Sequence, residues 1–372
     1  MTVGRRNDAN DADIHQKIQK WIDEQQWDEL EAFVHAHPRI AHDTTFPNGW
    51  TLLHCVTSTA NTPIDLIRMV AAANPDAMGI PDERFQDLPF HFVCRNLQTS
   101  AAKLHVLLQH GSSNWLLQRN EFGGTPLHSA CNHNARLEAL QALVQATDAQ
   151  ILRVRTFQGH HCVTTLWQSY SSTIPGHLCV ANLLLVDKKQ DVEELPRHFQ
   201  LFWDKCQYLA LSSYTASASP PDLLHAFLRC NVPIHLLKVA VRLVKDEAFL
   251  TRDKDGLIPL HWVLQNRPYP HLHEADVIQA LLQHGEAAIS VAQEFPLMMA
   301  IRHKIPWSRG IRLVWEAYPS AIQSRSKEGW FPFLLAAVVG GKPLPSLETI
   351  FQLLRSQPDL LLTSSSTKEG GK

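Results

Sequence analysis

The chain is poor in the features that mark most enzymes and secreted proteins. Its 372 residues hold seven cysteines, scattered from Cys55 to Cys230 with no CxxC pair. An odd, dispersed set in a long chain is not a disulfide framework. Neither GxSxG nor GxxxxGK[ST] occurs, and no GxGxxG follows a strand-like segment. Charge of one sign is lacking too: the formal net charge is -2, too near neutral to coat nucleic acid or an anionic membrane. The most apolar run, 331–341, is too short to span a bilayer. The start, MTVGRRNDANDAD, has no apolar core of the kind a secretory signal needs. These absences predict a soluble, reduced, cytoplasmic protein, with the nucleus as the other compartment. They leave it without a membrane partner, without nucleic acid and without an expected small-molecule ligand or cofactor.

What the chain does have is a period. Gly123-Gly124-Thr125-Pro126-Leu127-His128-Ser129-Ala130-Cys131 has relatives at Gly49-Trp50-Thr51-Leu52-Leu53-His54-Cys55 and Leu88-Pro89-Phe90-His91. Others stand at Gly256-Leu257-Ile258-Pro259-Leu260-His261, at Phe295-Pro296-Leu297-Met298 and at Gly329-Trp330-Phe331-Pro332-Phe333-Leu334. His54 to His91, His91 to His128 and His261 to Met298 are each 37 residues apart, and Met298 to Leu334 is 36. Such near-equal steps mark a repeat array. Thr165-Leu166-Trp167 reads as a worn copy 39 residues after His128, and Leu223-Leu224-His225 as another 36 before His261. The excess between Trp167 and His225 places an insertion at 188–219.

Each unit opens on turn chemistry. Asn120-Glu121-Phe122-Gly123 and Asp253-Lys254-Asp255-Gly256 combine a side chain that bonds local backbone with a glycine that accepts positive φ. Thr-Pro then starts a short helix, where proline lacks only a donor that has no partner anyway. A second apolar stripe follows after a polar break: Leu137, Leu140, Leu143 and Val144 in the third unit, and comparable stretches at 63–73, 234–244 and 275–283. A helix pair of this kind buries its apolar face only by stacking on its neighbours.

The motif Gly-Gly-Thr-Pro-Leu-His-Ser-Ala-Cys resembles the ankyrin-repeat signature. The resemblance covers about 46–357, with units longer than the family's usual 33, and is similar to divergent arrays of algal and other microbial eukaryotic proteins. It implies an all-α, ankyrin-like helical solenoid of about eight helix-turn-helix units with short β-hairpin turns. The expected organisation is a disordered start at 1–10, N-terminal capping helices at 11–45, repeats 1–4 at 46–187, a helical insertion at 188–219, repeats 5–8 at 220–357 and a polar tail at 358–372. Within the insertion, Phe199–Leu211 is expected to form an extra helix laid against the stack. The resemblance also assigns a structural role to Thr51, His54, His91, Thr125, Pro126, Leu127, His128, His225, Pro259, Leu260 and His261, the imidazoles linking successive units.

Twenty-one histidines invite a metal or catalytic reading. The motif histidines lie on successive units and cannot converge on one ion. His160-His161-Cys162 reads as a turn rather than a ligand set, and the His35/His37 and His271/His273 pairs as surface. Cys94 and Cys131 occupy small core positions. Gly340-Gly341-Lys342 reads as a loop, Glu193-Glu194 as a solvated face, and Arg302, His303, Lys304, Trp307, Arg309 and Arg312 as an ordinary basic face. No catalytic, cofactor-binding or metal residue is assigned. Candidate partner contacts are Trp50, Phe122, Phe157, Leu257 and Trp330, on or beside the turn tips, where aromatics have little core to fill. The function expected is a protein-interaction scaffold or adaptor that uses hairpin tips and the concave inner-helix face. The alternative is a regulatory or substrate-recruiting subunit of an enzyme complex such as a ubiquitin ligase.

Overall fold

The computed structural model describes residues 8–42, 46–96, 101–173, 197–213, 223–269, 273–282, 295–339 and 345–358. The chain divides into two compact units, Met1–Cys179 with His198–Ser213, and Val180–Arg197 with Tyr214–Lys372. Both are built of ankyrin-like helix pairs, and the described residues contain no strand.

In the first unit, helices α1 (Asp8–Asp23) and α2 (Trp27–Ala36) precede the repeats. The first repeat pairs α3 (Leu52–Ser58) with α4 (Ile64–Ala73), the second α5 (Pro89–Arg95) with α6 (Ala102–His110), and the third α7 (Pro126–Asn132) with α8 (Leu137–Gln145). Then come α9 (Cys162–Thr173) and α10 (Arg197–Ser212). The inner helices pack in series, α3 on α5, α5 on α7 and α7 on α9, while α1 lies on α3 and α2 on α4. Helix α1 begins at Asp8, inside the segment expected to be disordered, and residues 1–7 lie outside those described.

The second unit repeats the plan. Its pairs are α11 (Leu223–Cys230) with α12 (Ile234–Leu243), α13 (Pro259–Asn266) with α14 (Glu274–Leu282), α15 (Pro296–Arg302) with α16 (Ile311–Ala317), and α17 (Pro332–Val339) with α18 (Pro345–Ser356). Helices α11, α13, α15 and α17 again pack in sequence. Proline stands at the first position of α5, α7, α13 and α15, where its fixed φ suits helix entry.

Two features differ from the sequence expectation. The fourth inner helix starts at Cys162, so Thr164 holds the place of His128 and His161 that of Thr125, three residues earlier than a register built on Trp167. The apolar pair Leu166-Trp167 mimics the motif, but Gly159, at φ 79°, fixes the turn ahead of it. The helix expected as an extra layer, α10, takes a second-helix role in the first unit. Phe202 stacks on Tyr170 of α9 with centroids 4.1 Å apart, and Trp167 and Phe199 complete the cluster. Lys205 reaches back to the Asn134 carbonyl (3.2 Å) and side chain (2.7 Å) in the loop between the third pair's helices. In the same way Lys103 of α6 donates to the Thr59 and Ala60 carbonyls, at 2.9 and 2.6 Å, between the first pair's helices. The proposed limits of the insertion fall at 174–196 and 214–222, outside the described residues.

The repeated histidine explains the stacking. It sits third in its helix and acts as the far half of a capping box, a place usually held by Glu or Gln. His54 Nδ1 accepts the Thr51 N–H at 3.1 Å, and His91 Nδ1 accepts that of Leu88 at 3.0 Å. The other nitrogen, carrying the proton, donates across to the next repeat: His54 to the Asp87 carbonyl (3.2 Å), His91 to Gly124 (3.2 Å) and His225 to Leu257 (2.9 Å). His128 accepts from Thr125 N–H at 3.3 Å, but its buried Nε2 lacks a hydrogen bond of ordinary geometry, the His160 carbonyl only biasing it from farther off. One residue therefore caps its own helix and ties it to its neighbour.

Burial pushes His54, His91 and His128 down from 6.5 to about 4, so these rings are neutral at pH 7. His91→Ala leaves the Leu88 N–H and the Gly124 carbonyl without their partner. It is expected to lower the unfolding free energy by about 2–4 kcal/mol, whereas His105→Ala, exposed on α6, changes it by less than about 0.5 kcal/mol. Urea titration of both variants checks this. The lowered values also set a pH dependence. Between pH 6.5 and 4 the unfolded chain binds protons that the folded chain refuses, so acid favours unfolding. Stability is complete above 6.5 and falls by on the order of 1–2 kcal/mol per histidine by pH 5. Urea midpoints that stay flat from pH 7 to 5 contradict it.

Candidate interaction surface at the turn tips

Each repeat begins with a tight turn whose first residue closes it with a side chain. Asn120 Oδ1 accepts from the N–H groups of Phe122 (3.1 Å) and Gly124 (2.9 Å), and Asp253 Oδ1 from Asp255 and Leu257 (both 2.9 Å). Thr156 and Ser326 do this with one hydroxyl each, to His160 and Trp330. The fourth residue is a glycine with φ between 75° and 82° at Gly123, Gly159, Gly256 and Gly329. The turn at Asp82 is one residue longer: Asp82 Oδ1 accepts from Phe85 and Asp87, and Gln86 takes the left-handed conformation at φ 56°. One backbone pair across the mouth closes these hairpin-like turns, as in Asn120 N–H to Gly124 O at 2.9 Å.

The turns of the first unit are joined edge to edge. Glu83 N–H donates to Asn48 O (2.8 Å), Glu121 N–H to Phe85 O (2.8 Å), and Phe157 N–H to Phe122 O (3.1 Å). This ladder fixes the aromatic tips in a row. Phe85 and Phe122 have ring centroids 5.9 Å apart, and the Phe157 ring lies over Gly123, whose missing Cβ would stand 2.9 Å from Phe157 Cδ1. Phe122 is 59% and Phe157 70% exposed. The Arg84 guanidinium sits over the half-buried Phe85 ring at 4.8 Å. Three neighbouring tips thus present a ridge of aromatic faces on a hydrogen-bonded base.

The other candidates divide. Trp50 is half-buried: its indole N–H donates to Asp82 Oδ2 at 3.4 Å and its ring meets Phe92 edge-on at 5.0 Å, both in the next repeat. Leu257 is half-buried, and its carbonyl serves His225. In the second unit Trp330 is exposed at a tip, beside Phe331, which the Arg325 guanidinium covers at 4.3 Å. Among the motif residues, Thr51, Thr125, Pro126, Leu127, Pro259, Leu260 and the five histidines are buried.

The rest of the polar inventory is engaged in structure. Buried Asp87 pairs with Arg95 and accepts from Asn120 at 2.9 Å, while Asp253 pairs with Arg229 at 3.0 Å. His161 Nδ1 accepts the Val163 N–H at 3.2 Å. His37 bonds the Phe33 carbonyl, and His271 falls outside the described residues. Among the described residues no three His, Cys, Asp or Glu groups gather as metal ligands do. Burial pushes the Cys55 thiol up to about 12, and raises Cys94 and Cys162 as well, so these groups stay protonated rather than nucleophilic. The basic run does not form one stripe: Arg302 pairs with Glu328, Arg312 with Glu316 at 2.8 Å, and Trp307 is buried. Residues 193–194 and 340–342 lie outside the described residues. No helix among the described residues is long and apolar enough to cross a membrane.

Sequence reasoning does not anticipate the inter-repeat clamps. Lys103, Lys205 and Asn96 all bond carbonyls of the preceding pair, Asn96 reaching Ser58 O at 2.6 Å. A lysine inside the apolar stripe of a second helix was the available signal.

No protein-family model matches the sequence, and no curated protein matches it. Among solved structures the chain is similar to the ankyrin repeat domain of Bcl-3, described as a unique member of the IkappaB protein family. Identity is 16%, coverage 72% of this chain and 99% of that one, and the TM-score 0.33. The repeat fold rests on the helices, turns and histidine ties of this chain itself.

The base of the ridge can be tested at Gly123, with Gly256 of the second unit as a comparison turn. Gly256→Ala meets open space and suffers only its positive φ, about 1 kcal/mol. Gly123→Ala adds a Cβ 2.6 Å from the Phe157 backbone nitrogen and is expected to cost about twice as much. Urea unfolding of the two variants measures the difference.

Proposed function

We propose that the chain is a protein-recognition scaffold whose tip ridge, Phe85, Phe122 and Phe157, anchors a protein partner, with Trp330 as a second tip contact. The observation that carries this reading is the exposure of Phe122 and Phe157 on turns held by their own hydrogen bonds. An aromatic ring fixed in place loses little conformational freedom on binding, which makes it an effective anchor. Arg84 and the neighbouring Glu83 and Glu121 give the ridge a polar rim of both signs. The inner-helix face supplies further contacts in this reading, and the cytoplasm is the compartment we propose. Trp50 and Leu257 act in repeat-to-repeat packing rather than in the partner contact. We assign no catalytic role, a reading supported by protonated buried thiols and neutral histidines already committed to backbone bonds.

The test is affinity capture from native lysate with wild type and with Phe122→Ala/Phe157→Ala. Circular dichroism and urea midpoints of the variant should match wild type, since both rings are largely exposed. A specific protein captured by wild type should fall at least about tenfold with the variant. Equal capture by both would remove the ridge from the interface.

A further inference from the structure

The last described helix, α18, is apolar on two opposite sides. Thr349 and Leu353 are buried against the second unit. On the opposite side stand Leu347, 60% exposed, and Phe351, 61% exposed, followed by half-exposed Leu354 at i, i+4 and i+7. Val338, 64% exposed, ends α17 at the same end of the helix pair as Leu347. In the inner repeats of this unit the corresponding second helix is covered on both sides, as in α14, where Val277, Ile278, Ala280 and Leu281 are all buried. A terminal repeat of a soluble array needs a polar outer face. The chain's first helix has one: Asp13, Gln16, Lys17, Lys20 and Asp23 line its outward surface. That polar helix offers no apolar counterpart to Leu347 and Phe351, so a head-to-tail contact between copies would bury charge against apolar side chains.

The α18 face complements itself. Glu348 and Arg355, both exposed, lie on one and the same flank of the apolar stripe, about 40–60° from Phe351 at 100° per residue. Along the axis Glu348 lies about 4.5 Å to one side of Phe351 and Arg355 about 6 Å to the other, at 1.5 Å per residue. A two-fold axis through Phe351, perpendicular to two antiparallel copies of α18, sets like flanks side by side. It brings Glu348 of each copy within about 1.5 Å, along the axis, of Arg355 of the other. It also sets Phe351 against Phe351 and Leu347 against Leu354. A parallel pairing would instead set the charged flanks on opposite sides of the stripe, where Glu348 and Arg355 of the two copies form no pair.

We propose that the chain self-associates through this face, as an isologous antiparallel pair of α18 helices centred on Phe351 and flanked by two Glu348–Arg355 pairs. An isologous contact closes on itself and stops at the dimer. With one helix and its neighbour per copy the contact is small, so association is expected at the weak, micromolar end of the range.

Sedimentation of the full chain up to about 100 µM tests this against that affinity. Wild type should move from monomer to dimer, and Phe351→Glu should remain monomeric with unchanged circular dichroism. Glu348→Arg alone and Arg355→Glu alone each place like charges together, and each should weaken association at least about tenfold. The double variant Glu348→Arg/Arg355→Glu should restore it. Monomeric wild type overturns the proposal, whether the face is covered by residues 359–372 or by a different protein. A dimer that survives Phe351→Glu, or a double variant no stronger than the singles, overturns it equally.

Discussion

The stacking of this chain depends on one residue type in one helical position. A histidine third in the inner helix accepts the N–H that opens its own helix and donates to a carbonyl of the next repeat. Both bonds require the neutral ring with its proton on Nε2, and burial holds it in that state. Glutamate or glutamine can serve the first bond, but neither carries a second, opposed nitrogen across to the neighbouring backbone. Local helix capping and long-range stacking are therefore the same event. Where the slot holds Thr164 or Met298, the link is made by other means, aromatic packing after the first and side-chain burial at the second.

A second device orders the turn just ahead of each inner helix. The turn's first side chain satisfies the N–H groups that an uncovered loop would leave to water, and a left-handed residue completes the reversal. Because each turn also donates to the one before it, the tips of the first unit form a bonded edge rather than separate loops. Phe122 and Phe157 are held in place with no need to be buried, a placement that suits recognition better than packing.

The repeats were legible because their signals are local. Thr-Pro-Leu-His and the glycine two residues before it encode a turn, a cap and a helix start within ten residues, and the period then shows through subtraction. The fourth repeat was misregistered by three positions because Leu166-Trp167 supplies the apolar pattern while Thr164 replaces the histidine. The role of α10 was hidden by the long segment before it, which breaks the period that identifies a second helix. Trp50 and Phe122 occupy similar places in the sequence but differ in environment. What separates them is Asp82, 32 residues on, which accepts the Trp50 indole N–H, and Phe92, against which its ring packs. Lys103 and Lys205 were invisible as clamps for the same reason: the carbonyls they serve lie 43 or more residues away.

The substitution of Met298 for histidine has a thermal consequence. Among the described residues, the surface pair Arg302–Glu328 spans the last two repeats, and Leu297, Met298, Phe333 and Leu335 of their inner helices are buried. Apolar burial loses strength on cooling, whereas a buried imidazole–carbonyl bond has no such dependence on the ordering of water. The two kinds of junction therefore respond differently to temperature within one chain. The junction at Met298 is expected to weaken more on cooling than the junction that His225 ties to Leu257.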